Sequence, residues 1–240
     1  MAMLDIRGVS KHFGGLAANS DVSFSVEAGT IVGLIGPNGA GKTTLFNCIT
    51  GYYPPTRGEI LFKGARLHGL QPDDVCRLGM VRTWQKVRPL ANMSVLDNVM
   101  VGALVRTWSL RTARDAAMAQ LAIVGLDRKP HHPAGSLPIG ERKKLEVARA
   151  LATRPEMLLL DEVMGGLNPA ESEEIIGLVL DLRKRGLTMM VIEHDMKAIM
   201  RISDRIVVLN SGEKLAEGTP EEVSANPDVV AAYLGERPEP

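Results

Sequence analysis

The run Gly36-Pro37-Asn38-Gly39-Ala40-Gly41-Lys42-Thr43 concentrates groups suited to binding phosphate. It fits GxxxxGK[ST], and it sits between a strand-sized apolar run, Ile31 to Ile35, and a helix-forming segment, the setting this P-loop pattern requires. Glycines permit backbone conformations closed to other residues and let N–H groups approach an anion. The helix that follows directs its positive end to the same place. Lys42 can neutralise the β and γ phosphates of a triphosphate, and the Thr43 hydroxyl can ligate Mg²⁺. The competing reading is an ordinary glycine-rich turn; the full pattern in its strand–helix setting argues against it.

A second group is Asp161-Glu162, at the end of the short apolar run Met157 to Leu160. Alone, the pair reads as two solvated carboxylates at a strand end. Downstream of a P-loop it has a direct use: Asp161 holds Mg²⁺ through water and Glu162 polarises the attacking water. His194 follows the apolar run Thr188 to Ile192 and lies at its carboxyl end, the ligand side of such a sheet, where a capping or packing role is the other reading. Phe13 could stack on a nucleotide base; from the residues alone a core phenylalanine is favoured. His131 and His132 are adjacent, in a Pro-flanked stretch without further ligands, so a solvated loop is favoured over a metal site. Cys48 and Cys76 have no metal spacing and read as reduced.

These groups need a scaffold. Leu4–Val9 and Val22–Val26 read as strands, with Ile60–Phe62 another, so strands surround the P-loop before a second long helix appears. That order implies an α/β fold with a mixed sheet, an antiparallel part added to a parallel core. From Ser94 to about Pro155 the pattern turns helical. Ser94 with Asp97 caps one helix, Leu110–Val124 forms a second, and a third runs from near Gly140. Asn168-Pro169-Ala170-Glu171 starts a helix that stops at Gly186. Ile206–Leu209 is a last strand, Thr219-Pro220-Glu221-Glu222 starts a short helix, and the tail from Glu236 to Pro240 reads as disordered. The chain has 28 Lys and Arg against 28 Asp and Glu, so net charge draws it toward neither nucleic acid nor an anionic membrane. No apolar run approaches the ~20 residues of a membrane span. The N-terminus lacks a signal peptide's apolar core, so a cytoplasmic protein is expected, with any membrane role through a partner.

The constellation resembles the ATP-binding cassette (ABC) family over nearly the whole chain. The P-loop is similar to Walker A, and MLLLDE to Walker B with its catalytic glutamate, Glu162. The resemblance implies a P-loop NTPase core with an N-terminal antiparallel β subdomain and an inserted α-helical subdomain. The core would be residues 1–84 and 155–240, and residues 85–154 would carry the Q-loop, helical subdomain and signature helix. Nucleotide-binding roles are implied for Asn38, Gly39, Ala40, Gly41, Lys42, Thr43 and Thr44, and a base-stacking role for Phe13, reversing the core reading. Gln85, in RTWQ, matches the Q-loop glutamine, implied to contact Mg²⁺ and sense the membrane partner. His194 matches the switch histidine on the γ-phosphate, and Gly166-Leu167-Asn168 the D-loop. Thr43, Gln85 and Asp161 are the implied Mg²⁺ ligands.

Leu137-Pro138-Ile139-Gly140-Glu141 falls where the family's LSGGQ signature belongs, which would hold the γ-phosphate bound by an opposing subunit. Pro138 lacks the hydroxyl, while amides near Gly140 and the helix N-terminus remain; Glu141 suits the helix dipole but adds negative charge near a phosphate. Longer stretches, HFGGLAANSDVSFSVEAGTIVGLIGPNGAGKTTLFNCITG, RTWQKVRPLANMSVLDNVMVG and EHDMKAIMRISDRIVVLNSGEKLAEGTPEEV, look like the ATP-binding subunits of branched-chain amino acid importers. The partners so implied are a second cassette, identical or different, two membrane permeases, and indirectly a periplasmic solute-binding protein, with no nucleic acid. Relatives of that kind also serve urea, amide and lipopolysaccharide transport. A soluble ABC protein acting on DNA or the ribosome would need a coiled-coil insertion or a second cassette. A small-molecule P-loop kinase would leave Gln85, His194 and the signature segment unexplained.

Overall fold

The structure, a computed structural model, describes residues 2–84 and 89–234, apart from the side chain of Leu234. Gln85 and the tail from Glu236 lie outside the described residues. The chain forms two compact units, Met1–Val75 with Thr188–Pro240, and Cys76–Leu187.

The first unit opens with β1 (Ala2–Phe13) and β2 (Leu16–Glu27), an antiparallel hairpin turned at Gly14-Gly15. Leu4, Ile6 and Val9 on one strand and Val22, Phe24 and Val26 on the other are buried, the alternation of a half-buried sheet. β3 (Ile31–Ile35) is buried at every residue, as a strand covered on both faces must be. It feeds α1 (Lys42–Ile49). β4 (Arg57–Phe62) pairs with β1 and β5 (Ala65–Arg66) with β4, giving an antiparallel sheet in the order β2-β1-β4-β5. α2 (Pro72–Leu78) follows.

The second unit comprises β6 (Met80–Arg82), α3 (Val95–Ala103), α4 (Leu110–Ile123), α5 (Ile139–Ala152), β7 (Met157–Asp161) and α6 (Pro169–Lys184). β6 runs parallel to β7, with Met80 opposite Met157. The Ser94 hydroxyl caps α3 by accepting from the Asp97 N–H. The next amides of that helix donate to a distant segment: Val95 N–H to the His132 carbonyl and Leu96 N–H to that of Pro130, both at 2.9 Å. The stretch read as a solvated loop does expose His131 and His132, yet its carbonyls close the start of α3. A Cβ at Gly102 would fall 2.2 Å from the Arg149 carbonyl oxygen, so α3 crosses α5 with backbone against backbone. Asn168 and Glu171 form the capping box that begins α6.

The chain returns to the first unit through β8 (Thr188–Ile192), α7 (Met196–Ile202), β9 (Arg205–Asn210), β10 (Glu213–Gly218), α8 (Pro220–Ala225) and α9 (Pro227–Leu234). β3 lies between β8 and β9, parallel to both, and β10 pairs antiparallel with β9. The sheet is therefore mixed, as expected, but Ile206–Leu209 is not the last strand: β10 follows it, with Leu215 and Ala216 as its only apolar residues. Among the described residues, no helix is long and apolar enough to cross a membrane.

Both cysteines are free thiols, Cys48 buried and Cys76 half-buried. Burial pushes the Cys48 thiol up to about 11, against a smaller downward pull from Lys11. At pH 8 a thiol reagent is therefore expected to label Cys76 in the native protein and Cys48 only after unfolding. Mass spectrometry of the labelled peptides reads the result, and native labelling of Cys48 would contradict its burial.

Candidate functional site

In the first unit, β3 is followed by Gly36, whose backbone passes so near β9 that a Cβ would lie 2.1 Å from the Leu209 carbonyl oxygen. Gly41, at φ 94, has the same constraint against the Ala18 carbonyl at 2.4 Å. These two close approaches fix the loop between them and exclude any side chain at either end. Gly41 also occupies the N-cap of α1 and offers no side chain to cap it, and the first turn holds no acidic residue. The amides of that turn have no partner within the helix, and an anion is their natural one. Lys42 is 7% exposed. Its ammonium donates to the Gly36 carbonyl at 2.6 Å and to that of Pro37 at 3.0 Å, so the charge lies within the loop. Asn38, Gly39 and Thr43 are exposed, Thr44 is half-buried and Ala40 is buried. Glycine cradle, capless helix start and looped lysine together fit a bound polyphosphate.

Two more expected residues lie in this unit. Phe13 closes β1 and keeps 42% of its surface exposed, so it is not a core side chain. His194 is exposed just beyond β8, immediately before Asp195, whose carboxylate caps α7 by accepting from the Lys197 and Ala198 N–H groups. Asn19 supports the phosphate-binding loop without any local sequence signal. It is fully buried and donates to the Gly41 carbonyl at 3.3 Å, bracing the loop from β2.

In the second unit, Asp161 ends β7 and is 1% exposed. Its Oδ2 accepts from Arg82 Nη2 at 2.6 Å, and the Arg82 guanidinium lies 4.7 Å from the Trp84 ring centroid. The Asp161 N–H donates to the Thr83 hydroxyl at 3.2 Å, so two successive residues, the last of β6 and the one after it, hold it. Glu162, half-buried, takes a left-handed backbone, φ 52. A non-glycine residue there costs roughly 1–3 kcal/mol and persists only where its surroundings enforce it. Lys143, 5% exposed on α5, supplies part of that enforcement by donating to the Glu162 carbonyl at 2.5 Å. On the same helix Glu146 accepts from the Trp84 N–H at 2.7 Å, and burial pushes its carboxyl above the usual range. Arg82, Lys143 and Glu146 were missed. Each is a charged residue that only tertiary packing buries; the one local hint is the charge closing the short apolar run Met80-Val81-Arg82.

Pro138 and Ile139 are exposed at the start of α5, and Pro138 offers that start no side-chain cap. Gly140 is buried, and a Cβ there would fall 2.7 Å from Glu171 Oε1. Glu141 does not present an uncompensated charge, because its Oε1 pairs with Lys129 Nζ at 2.6 Å. Arg142 donates to the Leu137 and Gly135 carbonyls, both at 2.7 Å, and folds the preceding turn back onto the helix. Asp161, Glu162 and residues 138–141 thus share one unit, while Phe13, the P-loop and His194 share the other. No group of three or more His, Cys, Asp or Glu side chains gathers as a metal site among the described residues. A metal here would take its remaining ligands from phosphate oxygens and hydroxyls.

The ABC transporter family profile matches residues 19–165. A second profile, Branched-chain amino acid ATP-binding cassette transporter, matches residues 213–239. The chain is 44% identical to the high-affinity branched-chain amino acid transport ATP-binding protein LivG of Escherichia coli K12, with 98% of each chain covered. It matches a nucleotide-free ATP-binding cassette from an ABC transporter with TM-score 0.90 and 32% identity, over 98% of this chain and 100% of that one. A dimeric bacterial ABC transporter cassette matches with TM-score 0.82 and 26% identity, over 91% of this chain and 99% of that one.

Proposed function

The chain belongs to the ABC transporter family as an ATP-binding, ATP-hydrolysing subunit, and from that premise we propose that it powers the import of branched-chain amino acids. The match of residues 213–239 carries the choice of solute, because that segment is separate from the nucleotide motifs every ABC ATPase needs. In this reading the subunit lies against the inner face of the cell membrane, beneath two permeases fed by a solute-binding protein, and pairs with a second cassette. Gln85 and the helical segment that follows it dock on a permease.

The residues divide the work as follows. Lys42, the Gly39–Thr44 amides and Asn38 hold the triphosphate, and Phe13 stacks on the adenine. Thr43, Gln85 and Asp161 would hold Mg²⁺, which when bound spreads the charge of the β and γ phosphate oxygens. Glu162 takes a proton from the attacking water, and His194 contacts the γ-phosphate. The first turn of α5 presents the amides of Ile139, Gly140 and Glu141, behind Pro138, to the nucleotide of the second cassette. Lys129 offsets the negative charge that Glu141 would otherwise bring there.

Uptake of labelled leucine in cells lacking the chain tests the solute. Uptake should fall and return with the wild-type chain but not with Glu162→Gln. Unchanged leucine uptake alongside lost urea or amide uptake would overturn the assignment. The nucleotide site has its own test. Lys42→Ala removes a charge-assisted contact worth about 1.5–3 kcal/mol, or roughly 10- to 150-fold in Kd. Calorimetric titration of the purified variant with ATP measures it, and unchanged affinity would count against the site.

A further inference from the structure

The exposed ring of Phe13 does not stand alone. Tyr53 meets it edge to face, with ring centroids 5.2 Å apart and planes at 80°. Lys11 Nζ lies 5.0 Å from the Phe13 centroid and 5.5 Å from that of Tyr53. The same ammonium donates to the Pro54 carbonyl at 2.9 Å, which holds it beside both rings. Tyr52 in turn meets Tyr53 edge to face at 5.4 Å.

Residues 52–56 join the far end of α1 to the end of β1. At one end, the Tyr52 and Tyr53 N–H groups donate to the Asn47 carbonyl at 2.9 and 3.1 Å, in the last turn of α1. That is the helix whose first turn carries Lys42 and Thr43. At the other end, the Thr56 N–H donates to the Ser10 carbonyl at 2.8 Å, and the Thr56 hydroxyl accepts from the His12 N–H at 3.0 Å. The end of β1, which bears Phe13, is thereby tied to the far end of the phosphate-binding helix. A ring without such support at a hairpin tip would leave a base to order it on binding.

We propose that Tyr53 is a positioning residue for the nucleotide, fixing the Phe13 ring relative to α1 so that base and triphosphate meet a preformed pair of sites. This rests on the reading of Phe13 as the adenine platform, and the inference assigns the work of orientation to Tyr53, with Lys11 as its second support. An edge-to-face pair contributes about 0.5–1.5 kcal/mol, which converts to roughly 2- to 12-fold in Kd.

Titrations with ATP and with inorganic tripolyphosphate, which has no base, form the test. Tyr53→Ala should raise the Kd for ATP by about 2- to 12-fold and leave tripolyphosphate unchanged. Unchanged tripolyphosphate binding also reports an intact P-loop. Tyr53→Phe keeps the ring and should bind ATP as the wild type does. Tyr53→Leu keeps the bulk without the ring and should lose what Tyr53→Ala loses. The double variant Phe13→Ala/Tyr53→Ala should bind ATP no more weakly than Phe13→Ala. If Phe13→Ala leaves ATP affinity unchanged, the platform reading falls and the inference with it. If Phe13→Ala weakens ATP but Tyr53→Ala does not, only the role of Tyr53 is overturned. Equal loss of ATP and tripolyphosphate in Tyr53→Ala would overturn it too, since Tyr53 would then act on α1 alone.

Discussion

Replacing Glu162 by glutamine leaves ATP binding intact and lowers turnover by about 10²–10⁴-fold, the usual loss when a general base is removed. Glutamine matches glutamate in size and can accept and donate hydrogen bonds, but it takes no proton from water at neutral pH. The substitution also leaves the backbone restraint in place. The left-handed backbone at Glu162 is held through its carbonyl by Lys143, and the side chain plays no part in that bond. A cassette that binds ATP without consuming it should collect in the ATP-bound, paired state. Single-turnover hydrolysis and light scattering with ATP read the two effects. Near-normal turnover in the assembled transporter would remove Glu162 from the catalytic role.

Arg82→Ala is expected to lower stability by about 3–5 kcal/mol, because it removes a buried cation from beside a carboxylate with almost no solvent. For a chain of this size that corresponds to a fall in Tm of roughly 6–20 °C. Both members of the pair are buried, Arg82 with 5% and Asp161 with 1% of the side chain exposed, so screening by water offsets little of the loss. Arg82→Lys keeps the charge and loses the planar fork, and should fall between the two. Urea unfolding of the purified variants measures the effect, and a loss below about 1 kcal/mol would place the pair in the class of exposed bridges. If Asp161 is the metal ligand proposed above, Arg82→Lys should also weaken the Mg²⁺ dependence of ATP binding.

Much of this was legible in the sequence, for local reasons. β3, β7 and β8 are continuous apolar runs, and each ends at residues with chemical potential. The starts of α3, α6 and α8 are written in adjacent side chains, and all three caps form as the residues suggest. What was not legible is short, nonlocal or, like β10, without apolar alternation. β5 and β6 are too brief for any period to show, and α2 and α7 span barely two turns. Phe13 was ambiguous because exposure is a property of the folded hairpin tip and not of the residues around it. Lys129 beside Glu141 is twelve positions away in the chain, so the charge that offsets the altered signature could not be read from the signature itself.

The crossing at Gly102 has a mechanical consequence. Two helices that touch through side chains can slide by changing rotamers, and the resulting joint is compliant. α3 and α5 meet where the Arg149 carbonyl occupies the space a side chain would need, so the joint has no such slack. The carbonyls of Pro130 and His132 fasten the beginning of α3 to the strand of chain that leads into α5, which makes a second fixed point. A beam pinned at two points turns as a whole or not at all. A push delivered to the outer side of α3 would therefore be passed to α5 as a rigid-body displacement, carrying with it the amides of Ile139, Gly140 and Glu141 at the start of that helix.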